Sequence, residues 1–359
     1  MKLTELRLKN FSVVRQGSFA FSPQINVFLG RNGAGKSHVM KLLYSLLRAH
    51  REVSQRPVPA DVAPALKSKL VGVFRPDDGA VGRLVSRGTG RNTASVVLEA
   101  TNSPKSTRLE CKFTLSTLGK VSVGSTSFPR IQPSVFLPSR EALAMYEGFV
   151  QAYEDRELSF DETYRDLCVQ LSGAQLRGPR LDAVRKLANP LEEVLGGSIR
   201  LNGGRFYRHA PGGGNLEAHL LSEGLRKIGA LTHLVLNGSL IKNGFLFWDE
   251  PEANLNPRLV TVIAKTLRRL AGFGIQVFVA THDFLLLNEL AMADDYRGAL
   301  KDGAPEVDVR FIGLNLSQDG SHVSVESKDR LRDLNNNEIL EEFAAYYGRR
   351  SELVSKVNA

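Results

Sequence analysis

The stretch INVFLGRNGAGKS, from Ile25 to Ser37, constrains this chain more than any other. An apolar run of strand character breaks into Gly30-x4-Gly35-Lys36-Ser37, and behind it Val39, Leu42, Leu43 and Leu46 recur at helical spacing. Strand, glycine loop and helix in this order make a phosphate-binding loop. Glycines let successive backbone N–H groups converge on an anion, and the helix N-terminus adds partial positive charge. Lys36 is expected to reach the β- and γ-phosphates of a nucleotide and Ser37 to ligate Mg²⁺, with Gly30, Asn32, Gly33, Gly35 and His38 around the same ligand.

A second stretch, FLFWDEPEANLNP from Phe245 to Pro257, ends an apolar strand in two consecutive carboxylates. In a chain with a phosphate loop, Asp249 is expected to hold the Mg²⁺ shell. Glu250, one residue further on, is then placed to orient or deprotonate an attacking water, which implies hydrolysis rather than binding alone. Ser222 and Gly224 open a helix in LLSEGLRKIG and form a further candidate anion-binding terminus. His282 follows the apolar strand in VFVATHDF, where a histidine can polarise a γ-phosphate.

These elements, in this order, resemble the ABC-type ATPases. GRNGAGKS is similar to their Walker A loop, LSEGL to the signature, FLFWDE to the Walker B strand with its catalytic glutamate, EANLNP to the D-loop and THD to the switch histidine. Asn10-Phe11 after the first strand, the SEG signature and DEPEANLNP resemble the SMC/RecF/OLD-like branch more than transporters. The resemblance implies an α/β fold: a P-loop ATPase core with a parallel sheet, an antiparallel β layer and a helical insertion. It also implies ATP and Mg²⁺ as ligands, and two copies packed head to tail, with Ser222, Gly224 and Asn256 of one closing over nucleotide held by Lys36 and Ser37 of the other.

The sequence departs from the family pattern at Leu225, where a glutamine is usual, and at Asn256, where an aspartate is usual. Both departures point to slow turnover. For the Q-loop residue that completes the metal shell, Gln132 is the candidate, with Arg140 and Glu141 as competitors. Phe11 is a candidate for stacking on adenine, or equally a core residue.

The expected organisation is a first ATPase lobe with its β layer over residues 1–140 and a helical and hairpin insertion over 141–215. A second lobe with signature, Walker B and switch histidine follows over 216–300, then a tail over 301–359 that completes the core. Strands are expected over 4–10 and 25–29, antiparallel strands through 51–133, and a hairpin in SIRL-NGG-RFYR on an Asn-Gly turn. Cys111 and Cys168 lack metal or redox spacing and read as reduced core residues. No apolar run approaches the roughly 18–20 residues of a membrane span, so a cytoplasmic chain with no membrane partner is expected.

The formal charge of +9 favours a polyanionic partner, and Arg177, Arg180, Arg185 and Lys186 in LRGPRLDAVRK are candidate DNA or RNA contacts, or else a solvated face. Compact members of the branch are similar to the ATPases of the antiviral systems Septu, Gabija and PARIS. This implies a switch that regulates a separate nuclease, since no nuclease motif is found in this chain. A stripe of Ile339, Leu340, Phe343 and Tyr347 offers a docking surface, or packs on its own domain. The alternatives are a RecF-type repair or chromosome ATPase and, against the long stretch from Ser37 to Asp249, a transporter subunit.

Overall fold

The computed structural model describes residues 1–53, 58–87, 92–102, 107–129, 131–155, 158–317, 320 and 322–357. Strands β1 (Lys2–Phe11), β2 (Val14–Ala20) and β3 (Ile25–Leu29) lead into α1 (Lys36–Glu52) and α2 (Pro59–Phe74). After β4 (Thr93–Asn102), β5 (Thr107–Ser116), β6 (Val121–Thr126) and β7 (Ser134–Leu137) come α3 (Phe149–Glu154), α4 (Glu162–Leu171) and α5 (Pro179–Leu195). A small sheet of β8 (Ser198–Asn202), β9 (Arg205–Ala210) and β10 (Gly214–Glu217) precedes α6 (Glu223–Leu236). The chain then alternates β11 (Phe245–Asp249), α7 (Pro257–Gly272), β12 (Gln276–Thr281) and α8 (Phe284–Asp295). It closes with β13 (Val309–Leu316), β14 (Val323–Lys328) and α9 (Glu338–Val357).

The central sheet runs β14-β13-β3-β12-β11-β7, parallel from β13 to β7 with β14 antiparallel on its edge. Its strands are short and apolar because both faces are covered, as parallel sheets require. Period-two alternation divides the core: Val27, Leu246, Trp248 and Val279 face the helices α4 to α8, while Phe28, Phe136, Phe247 and Phe278 face α1 and the second sheet. On that second face Phe136, Phe247, Phe278 and Phe28 stack one after another across β7, β11, β12 and β3, at 6.2, 4.9 and 6.4 Å between centroids. Such offset aromatic contacts fix the register in which the strand ends, and hence the site, line up.

The second sheet, β2-β1-β4-β5-β6, is antiparallel throughout. Gln276, fully buried, ties it to the first: its amide accepts from Leu3 N–H and donates to Leu3 O, both at 2.8 Å. Between the sheets, α1, α2 and α4 share a buried ionic cluster. Asp166 accepts from Tyr44 Oη at 2.6 Å and Lys69 Nζ at 3.2 Å, and Lys69 also reaches Glu162 at 2.7 Å. Burial alone would lower the Lys69 ammonium, but Asp166 and Glu162 turn the net direction upward.

Two local expectations need correction, and a third, left open between two readings, is decided. Residues 51–133 hold a helix, α2, as well as strands: Pro59 at its start and Pro64 inside read as turn residues, yet Val62, Leu66, Leu70 and Val73 form a buried helical stripe. The β8–β9 hairpin turns on Gly203-Gly204, both at positive φ, because Asn202 is paired with Arg205. Phe11 is fully buried against Phe74, 5.9 Å between centroids, and is core rather than a stacking platform. Cys111 and Cys168 are free and buried, and burial pushes both thiols up to about 12. No helix among the described residues is long and apolar enough to cross a membrane.

Candidate functional site

Where β3 ends, a Cβ on Gly30 would sit 2.3 Å from Leu314 O of β13, so only glycine allows the chain to leave the sheet there. Gly33 and Gly35 lie at φ 84° and 90°, the left-handed region, and Gly35 opens α1 with no side-chain cap. The first N–H groups of α1 are thus left for a ligand. Lys36, 6% exposed, folds back onto the loop, donating to Gly30 O at 2.6 Å and Arg31 O at 3.2 Å. Burial lowers its ammonium from the ordinary range, opposed by the carboxylates of Glu250, Asp249 and Glu252. A cavity of about 300 Å³ opens here, lined by Val13, Asn32, Gly33, Gly35, Lys36, Ser37, His38 and Glu250.

Asp249 is the last residue of β11 and meets the loop directly: Ser37 Oγ donates to its Oδ1 at 3.0 Å. Burial raises the Asp249 carboxyl, the Ser37 bond lowers it and the neighbouring Glu250 raises it further. Glu250 takes φ 47°, left-handed for a residue with a side chain, with its N–H held by Ala280 O at 2.9 Å. Strain of this kind costs about 1–3 kcal/mol and collects at functional sites. Its carboxylate stands 3.3 Å from His282 Nδ1, across the ends of the paired strands β11 and β12. Ser37 and Asp249 supply hard oxygen donors side by side, a set that fits Mg²⁺, which takes one or two protein oxygens beside phosphates and water.

The other motif residues gather around α6. Ser222 is its N-cap residue, exposed, and its hydroxyl caps nothing. Gly224 is buried: a Cβ there would lie 2.8 Å from Leu255 Cδ2 and 3.1 Å from Leu259 Cδ1. Glu223 accepts from Asn254 Nδ2 at 2.9 Å, and Lys227 Nζ donates to Ala253 O at 2.7 Å, so the signature helix and the D-loop are one unit. Asn256 Oδ1 accepts from Leu259 N–H at 3.1 Å and caps α7, a role an aspartate would fill equally. His38 bonds Ser12 Oγ and lies edge-on to Phe74, with Val13 beside it on the cavity wall, a position that sequence reasoning passed over for Phe11.

Gln132 is corrected. It lies exposed before Ser134, which pairs with Phe245 at the start of β11, whereas Asp249 is at the end of that strand. Gln132 is six residues from the position level with Asp249, roughly 20 Å at about 3.3 Å per residue, so it cannot reach the metal ligands or the nucleotide. The segment leaving the correct end of β7 carries Arg140, exposed, and Glu141, which pairs with Arg226 of α6 at 2.7 Å. Arg177, Arg180, Arg185 and Lys186 are all exposed on or just before α5, with no ion-pair partner among the described residues.

Two further residues were missed by sequence reasoning. Glu252 is buried against Thr281, its Oε2 without a partner among the described residues, and burial pushes its carboxyl up. Arg31, in the phosphate loop itself, holds Glu338 through Nε at 2.9 Å and Nη2 at 2.5 Å. That pair seats α9 at the loop, and Phe343 stacks on Phe284 at 3.9 Å, while Tyr346, Tyr347, Leu353 and Val354 stay exposed.

Comparison with known proteins agrees with this geometry. Residues 1–163 match the family described as AAA ATPase domain, and residues 132–288 the family described as AAA domain, putative AbiEii toxin, Type IV TA system. The DNA replication and repair protein RecF of Ligilactobacillus salivarius is 38% identical over 58 residues, which is 16% of this chain and 15% of that protein. RecF of Streptococcus pneumoniae is 42% identical over 53 residues, 14% of each chain. Among solved structures, an Smc head bound to the C-winged helix domain of ScpA superposes with TM-score 0.58 at 15% identity, covering 92% of this chain and 99% of that one. The SMC head domain of Thermotoga maritima gives 0.51 at 16% identity, covering 91% and 99%. The chain thus has the fold of an SMC head, matches ATPase-domain families over residues 1–163 and 132–288, and is similar to the SMC/RecF-like ABC-type ATPases in the order of motifs on its strand ends.

Proposed function

We propose that this protein is a cytoplasmic switch that binds and slowly hydrolyses ATP, dimerises head to tail around it, and regulates a separate nuclease in antiviral defence. The observation that carries the hydrolytic reading is the pairing of Glu250 with His282 at 3.3 Å on the wall of the phosphate-loop cavity, one residue beyond an Asp249 already bonded to Ser37. The division of labour answers why two carboxylates follow one strand. Asp249, held by Ser37, is the metal-side group, and Glu250, turned away by its left-handed backbone, takes a proton from water. Ser37 and Asp249 would hold Mg²⁺, which supplies charge neutralisation of the phosphates. Lys36, now on loop carbonyls, is the cation that a γ-phosphate would draw away, and His282 is poised to donate to that phosphate.

Head-to-tail assembly is supported by Ser222, which is exposed at the helix N-terminus and whose hydroxyl makes no cap hydrogen bond. The defence reading is supported by the toxin named in the family description for residues 132–288, and the separate partner by the exposed apolar side chains of α9. The RecF matches favour a second reading, a DNA repair ATPase using Arg177, Arg180, Arg185 and Lys186 on DNA. One experiment addresses both. Glu250→Gln should lower hydrolysis by about 100-fold or more and trap an ATP-dependent dimer, seen by native mass measurement. Recovery of a nuclease in fixed stoichiometry from the native host supports the switch; a dimer carrying only DNA supports the repair reading. Hydrolysis at the wild-type rate would remove Glu250 as the base.

A further inference from the structure

Glu252 has no part in the reactions described so far. It sits in a turn from Glu250 to Ala253, closed by Ala253 N–H to Glu250 O at 3.1 Å, in which Pro251 takes the position that suits its fixed φ. The turn sends the Glu252 side chain back into the protein, 8% exposed, against the end of β12. There Oε1 accepts from Thr281 Oγ1 at 2.6 Å and, more weakly, from His282 N–H at 3.4 Å. Thr281 Oγ1 in turn accepts from Asp283 N–H at 3.0 Å. One carboxyl oxygen therefore organises the whole turn that carries His282. The other, Oε2, is buried with no partner among the described residues, an arrangement that costs stability and calls for a functional reason.

The histidine has little else to hold it. Its side chain is 48% exposed and, among the described residues, its one polar partner is Glu250, so the backbone that carries it has a large share in aiming its ring. We propose that Glu252 is a positioning residue for ATP hydrolysis, fixing the Thr281–Asp283 turn so that His282 stands against Glu250 over the cavity. This rests on the hydrolytic reading above. Glu252 acts through the turn and touches no reacting atom.

The full-length chain is tested by steady-state ATP hydrolysis and by amide hydrogen exchange at residues 281–283. Glu252→Ala should lower kcat by about 10- to 100-fold, the scale of a displaced catalytic group, while KM for ATP stays within about threefold. Exchange at His282 and Asp283 should quicken by about tenfold or more as their turn loosens. Glu252→Gln keeps the acceptor oxygen and should return kcat to within about threefold of wild type. Because the two residues act as one unit, Glu252→Ala with His282→Ala should be no slower than His282→Ala alone.

Additive losses in the double variant, or a KM effect with kcat unchanged, would overturn the proposal. Should Glu252→Ala fail to fold, Thr281→Val breaks the same bond from its other side, and Thr281→Ser should restore it. An unaltered exchange rate at His282 in whichever variant folds also overturns the proposal, with no reference to turnover. A wild-type chain that does not hydrolyse ATP sinks the hydrolytic reading instead, and the exchange measurement still decides whether Glu252 holds the turn.

Discussion

Helices α1 and α6 begin alike and end up doing opposite things. Most of the longer helices close their N-termini: Asp161, Asn256 and Asp283 cap α4, α7 and α8, and α2 and α5 open on proline. The N-termini of α1 and α6 have neither device, so both keep free N–H donors and the positive end of the helix dipole. At α1 those donors face a walled cavity lined by Ser37 and Glu250, with Asp249 bonded to Ser37 and His282 paired with Glu250 at the strand ends. At α6 the N-cap Ser222 is exposed, and the D-loop holds the first turns from behind: Leu255 on Gly224, Ala253 O on Lys227, Asn254 on Glu223. One terminus faces a cavity and the other faces outward, as the two halves of the proposed shared site would.

The largest expected effect splits those halves between copies. Lys36→Ala should abolish ATP binding, and Ser222→Arg should leave binding intact but abolish hydrolysis, so each variant alone is inactive. In a head-to-tail dimer of the two, one site carries both lesions and the other carries none. Mixing them should therefore restore about a quarter of wild-type turnover, since half of randomly paired dimers have one good site of two. No recovery on mixing, with each variant folded, would mean that α6 serves its own chain or nothing.

How much of this was legible in the sequence follows the same division. The P-loop, Ser37, Asp249 and Glu250 are carried by contiguous strings at strand ends, so their gathering at one place could be read residue by residue. What failed needed knowledge of which end of a strand, or which distant segment, comes near. Gln132 stands next to an apolar strand in the sequence, yet in a parallel sheet only the residues after Leu137 arrive at the Asp249 end. Glu252 lay in plain view two residues after Glu250, but its burial depends on Thr281. Arg31 and Glu338 are 307 residues apart and leave no local trace of their contact. Helix α2 was hidden because Pro59 and Pro64 mimic a turn, while its apolar stripe won through packing.

A smaller effect tests whether α6 is held as a rigid platform. Arg226 in its first turn pairs with Glu141 at 2.7 Å, and their side chains are only 17% and 7% exposed. Removing one member of a largely buried pair leaves the other charge uncompensated, so Arg226→Ala should cost about 3 kcal/mol in urea unfolding. It should also lower turnover, by freeing the signature, while ATP affinity of the monomer stays within about twofold. A matching loss of ATP affinity would mean that the two helix ends are coupled within one chain, and would erase the contrast between them.

The smallest effect separates two uses of glycine. At Gly33 the backbone is left-handed and a Cβ would meet nothing within 4 Å, so Gly33→Ala costs only backbone strain, about 1–2 kcal/mol. At Gly224 the backbone is helical and favours alanine, but the Cβ would lie 2.8 Å from Leu255 Cδ2. Overpacking of that kind costs about 1–3 kcal/mol, offset in part by about 1 kcal/mol of helix propensity, so the net loss at Gly224 should be the smaller of the two. Leu255→Ala in the same chain removes the obstructing methyl groups and should turn Gly224→Ala from destabilising to neutral or better, which no relief of backbone strain could do. If instead Leu255→Ala leaves the cost of Gly224→Ala unchanged, the glycine is not there for the D-loop, and the unit that presents Ser222 is not held from behind in the way the contacts describe.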